Sequence, residues 1–259
     1  MAYNPEIEAE KYFKDLAPIE KQHEEDTRFY FIPTGVGVGK YLPSVTTILD
    51  MVNRPYLKQW YRKVGMDEAD RVTDIARAIG SEVHHWVEQI LHGDQIDAET
   101  WQPMAEETKN GIRAFVRFQQ EYHFEPLVSQ TIEQTVYHLE HGHAGTLDII
   151  GWVTHHTINQ GKRTLVLGDW KTSKSHDELN TMQLAAYFAS ASVLMPGVKP
   201  AMGMICRLDK KTGVPDPLFY ELPRLRREYT VFRKLVTVWY HIHKKLVYKV
   251  NTEGVSQNG

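Results

Sequence analysis

Residues 163–172 read RTLVLGDWKT, an apolar run that ends in polar residues. A short run of this kind, preceded by the turn residues NQGK at 159–162, is typical of a strand buried on both faces of a sheet. Because side chains alternate along a strand, Asp169 and Lys171 are expected on one side and Trp170 on the other. The run therefore predicts a buried strand that presents a carboxylate and an ammonium group together at its end.

Two further strands are predicted immediately before this run. Residues 130–139 (QTIEQTVYHL) and 144–155 (AGTLDIIGWVTH) alternate between apolar and polar side chains, and EHGH between them is typical of a hairpin turn. Asp148 lies in the second of these strands. If that strand is a neighbour of the run at 163–170, the carboxylates of Asp148 and Asp169 converge beside the ammonium group of Lys171.

The remaining segments alternate between helical and extended patterns. Residues 28–41 predict a hairpin, and Ser44 is the expected N-cap of a short helix that ends at Leu49. The other predicted elements are helices over 56–64, 67–92, 103–122, 177–194 and 224–248, and strands over 201–208 and 216–222. This order predicts one α/β or α+β domain. We assign it residues 27–250, between an acidic N-terminal segment (1–26) and a flexible C-terminal tail (251–259).

The composition excludes several classes of protein. Hydrophobic residues make up 42% and charged residues 24% of the 259 residues, which excludes a disordered chain and a collagen-like repeat. The single cysteine, Cys206, excludes an internal disulfide and an iron–sulfur cluster held by four thiolates. No run approaches the roughly 18 apolar residues of a membrane span, and the N-terminus lacks a signal peptide. We therefore expect a cytoplasmic protein, bacterial or viral, without a membrane partner.

The charge of the chain is unevenly distributed. The formal net charge of −3 by itself argues against a nucleic-acid partner. However, residues 1–26 hold eight acidic and three basic residues, whereas residues 199–259 hold twelve basic and five acidic residues. The basic excess is concentrated in the helix predicted over 224–248. This helix is either a phosphate-binding face or the solvated face of an amphipathic helix.

The carboxylate pair suggests a metal site. Two anionic oxygen ligands suit Mg²⁺ or Mn²⁺, and a neighbouring lysine can orient a water molecule or stabilise charge on a phosphate oxygen. The alternative is a structural ion pair between Asp169 and Lys171 at the end of a strand, which contributes about 0–1 kcal/mol at a surface.

A second group of polar residues lies in the helix predicted over 67–92. His84 and Glu88 in GSEVHHWVE (80–88) are four positions apart and share a face of that helix. His84 is a candidate metal ligand, and Glu88 would either orient its imidazole or touch the metal. His85 points about 100° away around the helix, so both histidines do not easily serve one site. The alternative is a half-buried helical histidine paired with Glu88.

A third group lies in the helix predicted over 177–194. Gln183 and Tyr187 share the face near the end of the Asp169 strand, where they would position a phosphate or sugar. The alternative is ordinary interior hydrogen bonding.

In chain order these groups form the pattern G-x-x-x-H-x-x-x-E, G-x-x-D, D-x-K and Q-x-x-x-Y, which resembles the RecB-like exonuclease branch of the PD-(D/E)XK nuclease superfamily. Residues 42–49 and the following helix are most similar to its mitochondrial and phage members. The matching positions are His84, Asp148, Asp169, Lys171, Gln183 and Tyr187. The chain departs from the pattern in two ways: Ser81 replaces a frequent threonine, and the two aspartates are separated by a longer hairpin.

The resemblance implies an α/β fold with a restriction-endonuclease-like core, in which helices flank a central mixed sheet and an N-terminal helical extension precedes it. It implies phosphodiester hydrolysis with Mg²⁺ or Mn²⁺. The implied metal ligands are His84, Asp148, Asp169 and the backbone carbonyl of Trp170, with Lys171 assisting the attacking water. The expected function is a DNA exonuclease in phage or bacterial recombination, replication or repair, acting on single strands or free ends, with a recombination or replication protein as a further partner.

Basic and aromatic residues supply candidate DNA contacts, since such rings stack on unpaired bases. These candidates are Lys58, Trp60, Arg62, Lys63, Ser173, Lys174, Arg224, Arg226 and Arg227. Packing in the core is the alternative for Trp60. Three alternative functions stay open: a structure-specific endonuclease, a non-catalytic DNA-binding or recruitment subunit, and a zinc hydrolase built from His141, His143, His155 and His156.

Overall fold

The computed structural model describes residues 3–14, 19–24, 27–35, 38–52 and 55–254. The helices are α1 (Pro5–Phe13), α2 (Val45–Leu49), α3 (Pro55–Val64), α4 (Met66–His92), α5 (Ala98–Trp101), α6 (Glu106–Glu121), α7 (Glu178–Leu194), α8 (Leu222–Ile242) and α9 (Lys244–Glu253). The strands are β1 (Glu20–Glu24), β2 (Thr27–Gly35), β3 (Val38–Pro43), β4 (Glu125–Pro126), β5 (Ile132–His138), β6 (His143–Val153), β7 (Thr164–Lys171), β8 (Met202–Leu208) and β9 (Pro215–Glu221).

The central sheet is mixed, with strands in the order β4-β6-β7-β8-β9 and β5 also paired with β6. β7 and β8 are parallel because α7 connects them as a crossover, whereas the other neighbours are antiparallel. The pairing of β6 with β7 across the connection 154–163 confirms the longer hairpin expected between the two aspartates. The sheet therefore brings the ends of β6 and β7 together, as the sequence predicts.

Helices cover both faces of this sheet. Residues of α2, α7 and α8 pack on one face around Leu184 and Phe232, and residues of α4 and α6 pack on the other around Phe115 and Phe118. Trp170 belongs to the second cluster, where its ring lies 5.2 Å from that of Phe115. The predicted alternation along β7 is therefore confirmed: Trp170 enters the core while its neighbours face the other way.

The N-terminal residues are part of the domain, so their prediction as a separate segment is wrong. β1 pairs with β2, and β2 pairs with β3, to form a three-stranded antiparallel sheet. In α1, Ala9 is completely buried in the same cluster as Val45 and Leu184. The Trp152 indole N–H also donates to Glu6 at 3.1 Å. Acidic content misled the interpretation because a helix needs only a narrow apolar stripe to pack against a core.

The C-terminal region also differs from its prediction. The long helix ends at Ile242, His243 caps it, and α9 then continues to Glu253. Asn251, assigned to a flexible tail, accepts a hydrogen bond from the backbone N–H of Tyr41 at 3.0 Å. Residues 255–259 of the predicted tail lie outside the described residues. Within the described ranges, no helix is both long enough and apolar enough to cross a membrane.

Candidate functional site

The two aspartates adjoin where β6 and β7 end their pairing. The last pair in register is Ile149 with Gly168, so Asp148 and Asp169 come next on the two strands. The Trp170 backbone N–H donates to Asp148 Oδ2 at 2.6 Å. The two carboxylates thus lie beside one backbone segment, which agrees with the expectation from alternation.

Lys171 joins this pair from the same strand. Its Nζ lies 2.6 Å from Asp169 Oδ2, and the Asp169 side chain is completely buried. A charge-assisted contact of this length holds the ammonium group beside the carboxylates.

His84 reaches the carboxylates from helix α4. Its Nδ1 is 3.8 Å from Asp148 Oδ2, and its ring also hydrogen-bonds to the backbone of Trp170. Gly80, one turn earlier, allows this approach: a Cβ there would lie 2.9 Å from Thr172 Oγ1. The spacing between Gly80 and His84 therefore has a packing cause, since the helix must pass close to the end of β7.

Gln183 and Tyr187 support the site from helix α7. Gln183 Nε2 donates to Tyr187 Oη at 3.1 Å and lies 3.4 Å from Asp169 Oδ1. Gly145 makes room for this pair, because a Cβ at that position would overlap the ring of Tyr187. Both side chains therefore reach the site as predicted, and Gln183 contacts a carboxylate directly.

Glu133 belongs to the site and was missed by sequence reasoning. It lies in β5 between the pairs Ile132–Ile149 and Gln134–Leu147, which places it across from Asp148. Ligand atoms of His84, Glu133 and Asp148 all lie within 4.8 Å of one another. The available signal was an acidic residue in the hairpin partner of the Asp148 strand.

A cavity of about 710 Å³ opens onto these residues. Among the described residues, its acidic floor contains Glu88, Glu133 and Asp148, beside Lys171. Its basic wall consists of Lys21, Arg28 and Arg77, which sequence reasoning also missed. The Nε atom of Arg28 is buried and has no hydrogen-bond partner among the described residues.

Glu88 lines this cavity without the expected contact to His84. No hydrogen bond joins the two side chains within the described part of the chain, although both line the cavity. The pKa of Glu133 is raised by burial, by charge repulsion from Asp148 and, to a smaller extent, by charge repulsion from Glu88. Its proximity to the acidic floor keeps it a candidate for a role near the metal.

Burial controls the electrostatics of the site. It raises the pKa of Asp148 and of Asp169 to about 6, against the attraction of Lys171. Burial, Asp148 and Glu88 raise the pKa of Glu133 to about 8. The pKa of His84 falls to about 4 through burial and the charge of Lys171, so its imidazole is neutral at pH 7.

The Lys171 ammonium group remains protonated. Burial lowers the pKa of Lys171, but its attraction to Asp169 and Asp148 outweighs burial and leaves that pKa above its ordinary value. A neutral imidazole beside the buried carboxylates of Asp148 and Asp169 is a donor set that fits a hard divalent cation.

The predicted DNA-binding residues fall into separate places. Lys58, Arg62 and Lys63 are exposed on α3, and Trp60 packs edge-on against Tyr61. None of these residues lines the cavity described above.

The other predicted contacts lie beyond β7 and on α8. Ser173 and Lys174 are exposed immediately after the cavity-lining Thr172. Arg224 pairs with Glu178 and Glu228, and Arg226 and Arg227 are exposed on α8 away from the cavity lining. The charge run on this helix therefore does not face the candidate site.

Among the described residues, the four histidines of the zinc-hydrolase alternative form no group placed to hold a metal. His141 contacts Tyr229 on α8, whereas the ring of His155 lies against those of Tyr122 and His156. Across the described ranges, His84, Glu133 and Asp148 are the one group of three such residues placed to hold a metal.

No protein-family model matches this chain, and no curated protein matches it. Assignment of a function therefore depends on the residues and their geometry.

Proposed function

We propose that this protein is a DNA exonuclease with a PD-(D/E)XK core that requires Mg²⁺ or Mn²⁺ and acts on single strands or free DNA ends. The observation that carries the proposal is the meeting of His84, Asp148, Asp169 and Lys171 beside one cavity. These residues come from three separate motifs that occur in the order of the nuclease pattern. A structural ion pair alone does not require a histidine, a second aspartate and an open cavity at the same place.

His84, Asp148, Asp169 and the backbone carbonyl of Trp170 would hold the ion, with Glu88 nearby. The ion, when bound, supplies Lewis-acid polarisation of the phosphate and makes a bound water more acidic. The Lys171 ammonium group stabilises negative charge on a phosphate oxygen and orients the attacking water. The pKa of Lys171 is raised by Asp169 and Asp148 despite its burial, so its side chain is a cation in the metal-free protein. Gln183 and Tyr187 keep Asp169 in place.

The basic wall supports a polyanionic substrate. Lys21, Arg28 and Arg77 line the same cavity as the carboxylates, so a phosphate can be neutralised beside the candidate metal site. The formal net charge of −3 includes the carboxylates of the site itself. A bound cation would reverse the local sign there.

The deciding experiment compares end-labelled linear with circular single-stranded DNA of the same sequence, incubated with Mg²⁺. An exonuclease degrades the linear strand and leaves the circle intact, and EDTA stops the reaction. Equal cleavage of both would replace the proposal with an endonuclease. DNA binding without metal-dependent turnover would replace it with a recruitment subunit in recombination, replication or repair.

A further inference from the structure

We propose that Glu133 is a direct ligand of the metal and completes a three-residue set with His84 and Asp148. This inference rests on the proposed function for the presence of a metal. It adds to the nuclease pattern a residue from β5, a strand that contributes none of the motif positions.

The donor atoms of the three side chains lie close enough together to share one ion. Oxygen ligands lie about 2.0–2.1 Å from Mg²⁺, so two donors on opposite sides of the ion are about 4.2 Å apart. The donor atoms of His84, Glu133 and Asp148 lie within 4.8 Å of one another. The separation of 3.8 Å between His84 Nδ1 and Asp148 Oδ2 is shorter than such a diameter. Neighbouring donors around an octahedral ion are about 3 Å apart, so side-chain movements of about an ångström would place all three around one ion.

The surroundings of the Glu133 side chain also favour a bound cation. Within the described part of the chain, no hydrogen bond or ion pair holds it, although it lines a cavity that already contains Asp148 and Glu88. When it is ionised, a half-buried carboxylate without a partner is unfavourable unless a cation compensates its charge. Asp169 differs, because its oxygens contact Lys171 and Gln183 and its side chain is completely buried.

The backbone at Glu133 departs from regular strand geometry. Glu133 has a φ of +49°, a left-handed conformation that residues with a Cβ rarely adopt within a strand. The neighbouring strand changes at the same level: Leu147 packs on the α7 face of the sheet, whereas Ile149 packs on the α4 face. Regular alternation would put both on one face. The irregularity thus leaves Glu133 and Asp148 together at the cavity.

The experiment measures binding of Mn²⁺ to the full chain without DNA, by calorimetry and electron paramagnetic resonance. Glu133→Gln keeps the shape of the side chain and removes its charge, and we expect at least a tenfold loss of Mn²⁺ affinity. Glu133→Asp keeps the charge on a shorter side chain and should bind with intermediate affinity. Glu140→Gln, an exposed change in the turn of the same hairpin, is the matched control and should bind within twofold of the unchanged protein.

The outcomes separate the two proposals. If Glu133→Gln binds Mn²⁺ like the unchanged protein while that protein degrades DNA ends, the ligand assignment fails and the nuclease function stands. If the unchanged protein binds Mn²⁺ through Glu133 but never cleaves DNA, the function fails and the ligand assignment stands. Absence of Mn²⁺ binding to the unchanged protein overturns the ligand assignment. If Glu133→Gln fails to fold, as shown by circular dichroism, an unchanged affinity in Glu133→Asp with an unchanged resonance spectrum overturns it.

Discussion

The backbone N–H of Trp170 donates to Asp148 Oδ2 at 2.6 Å, and this bond links the two strands that carry the candidate site. The Trp170 ring is held at the same time among Phe115, Phe118 and Phe124 in the core. A side chain locked by packing thus fixes the backbone that orients Asp148. Such support favours a preorganised site, in which little rearrangement is needed when charge develops.

Removing the ammonium group should abolish cleavage without unfolding the protein. We expect Lys171→Met to lower kcat by about 10²–10³-fold, because one preorganised electrostatic contact is lost. The buried Asp169 carboxyl then becomes protonated, which limits the loss of stability. Single-turnover kinetics on end-labelled DNA measures the first effect and thermal unfolding the second. A cleavage rate equal to that of the unchanged protein would refute the site assignment.

The metal should stabilise the protein more at pH 8 than at pH 5. Asp148 and Asp169 have pKa values of about 6, above those of unfolded aspartate, so their contribution to metal-free stability is lost as pH rises through 6. At pH 5 the same carboxyls are protonated, and a metal must displace their protons. The increase in Tm caused by Mn²⁺ is therefore expected to be larger at pH 8. An increase independent of pH would contradict the carboxylate ligands.

The close approach of Gly80 to Thr172 predicts that substitutions at these two positions have coupled effects on stability. Gly80→Ala alone should destabilise the protein, because the new Cβ would lie 2.9 Å from Thr172 Oγ1. In the Thr172→Ala background this clash is absent. There Gly80→Ala should raise the free energy of unfolding by about 0.5–1 kcal/mol, because alanine favours a helix more than glycine does. Chemical denaturation of the four proteins of this cycle measures the coupling. Equal effects of Gly80→Ala in both backgrounds would show that the two residues do not interact.

Arg28 should matter more for DNA binding than the arginines of α8. Its buried Nε has no hydrogen-bond partner among the residues that the structure describes, and Arg28 lines the cavity, whereas Arg226 is exposed away from the cavity. We expect Arg28→Ala to raise KM for single-stranded DNA about tenfold and to reduce the salt dependence of binding by about one phosphate contact. Arg226→Ala should change both by less than about twofold. The opposite ranking would restore the α8 face as the DNA-binding surface.

Sequence reasoning succeeded where the determining interactions are local. The alternation along β7 was enough to place Asp169 and Lys171 together, and the helical spacing was enough to place His84 and Glu88 on one face, which lines the cavity. It failed at Glu133, because a left-handed residue interrupts the alternation that the prediction assumes. The sequence of one strand does not show that the alternation of its neighbour will also be interrupted at the paired position.

The sequence by itself determined the mixed α/β class and the identity of the polar residues at the ends of β6 and β7. These follow from the periods of strand and helix, which each segment carries alone. Only the tertiary structure decided that Lys21 and Arg28 line the cavity with the carboxylates while the α8 arginines do not. The physical reason is that a run of charges does not specify which neighbour a surface will meet. That choice depends on how the N-terminal sheet and the helices bury their apolar faces against the central sheet.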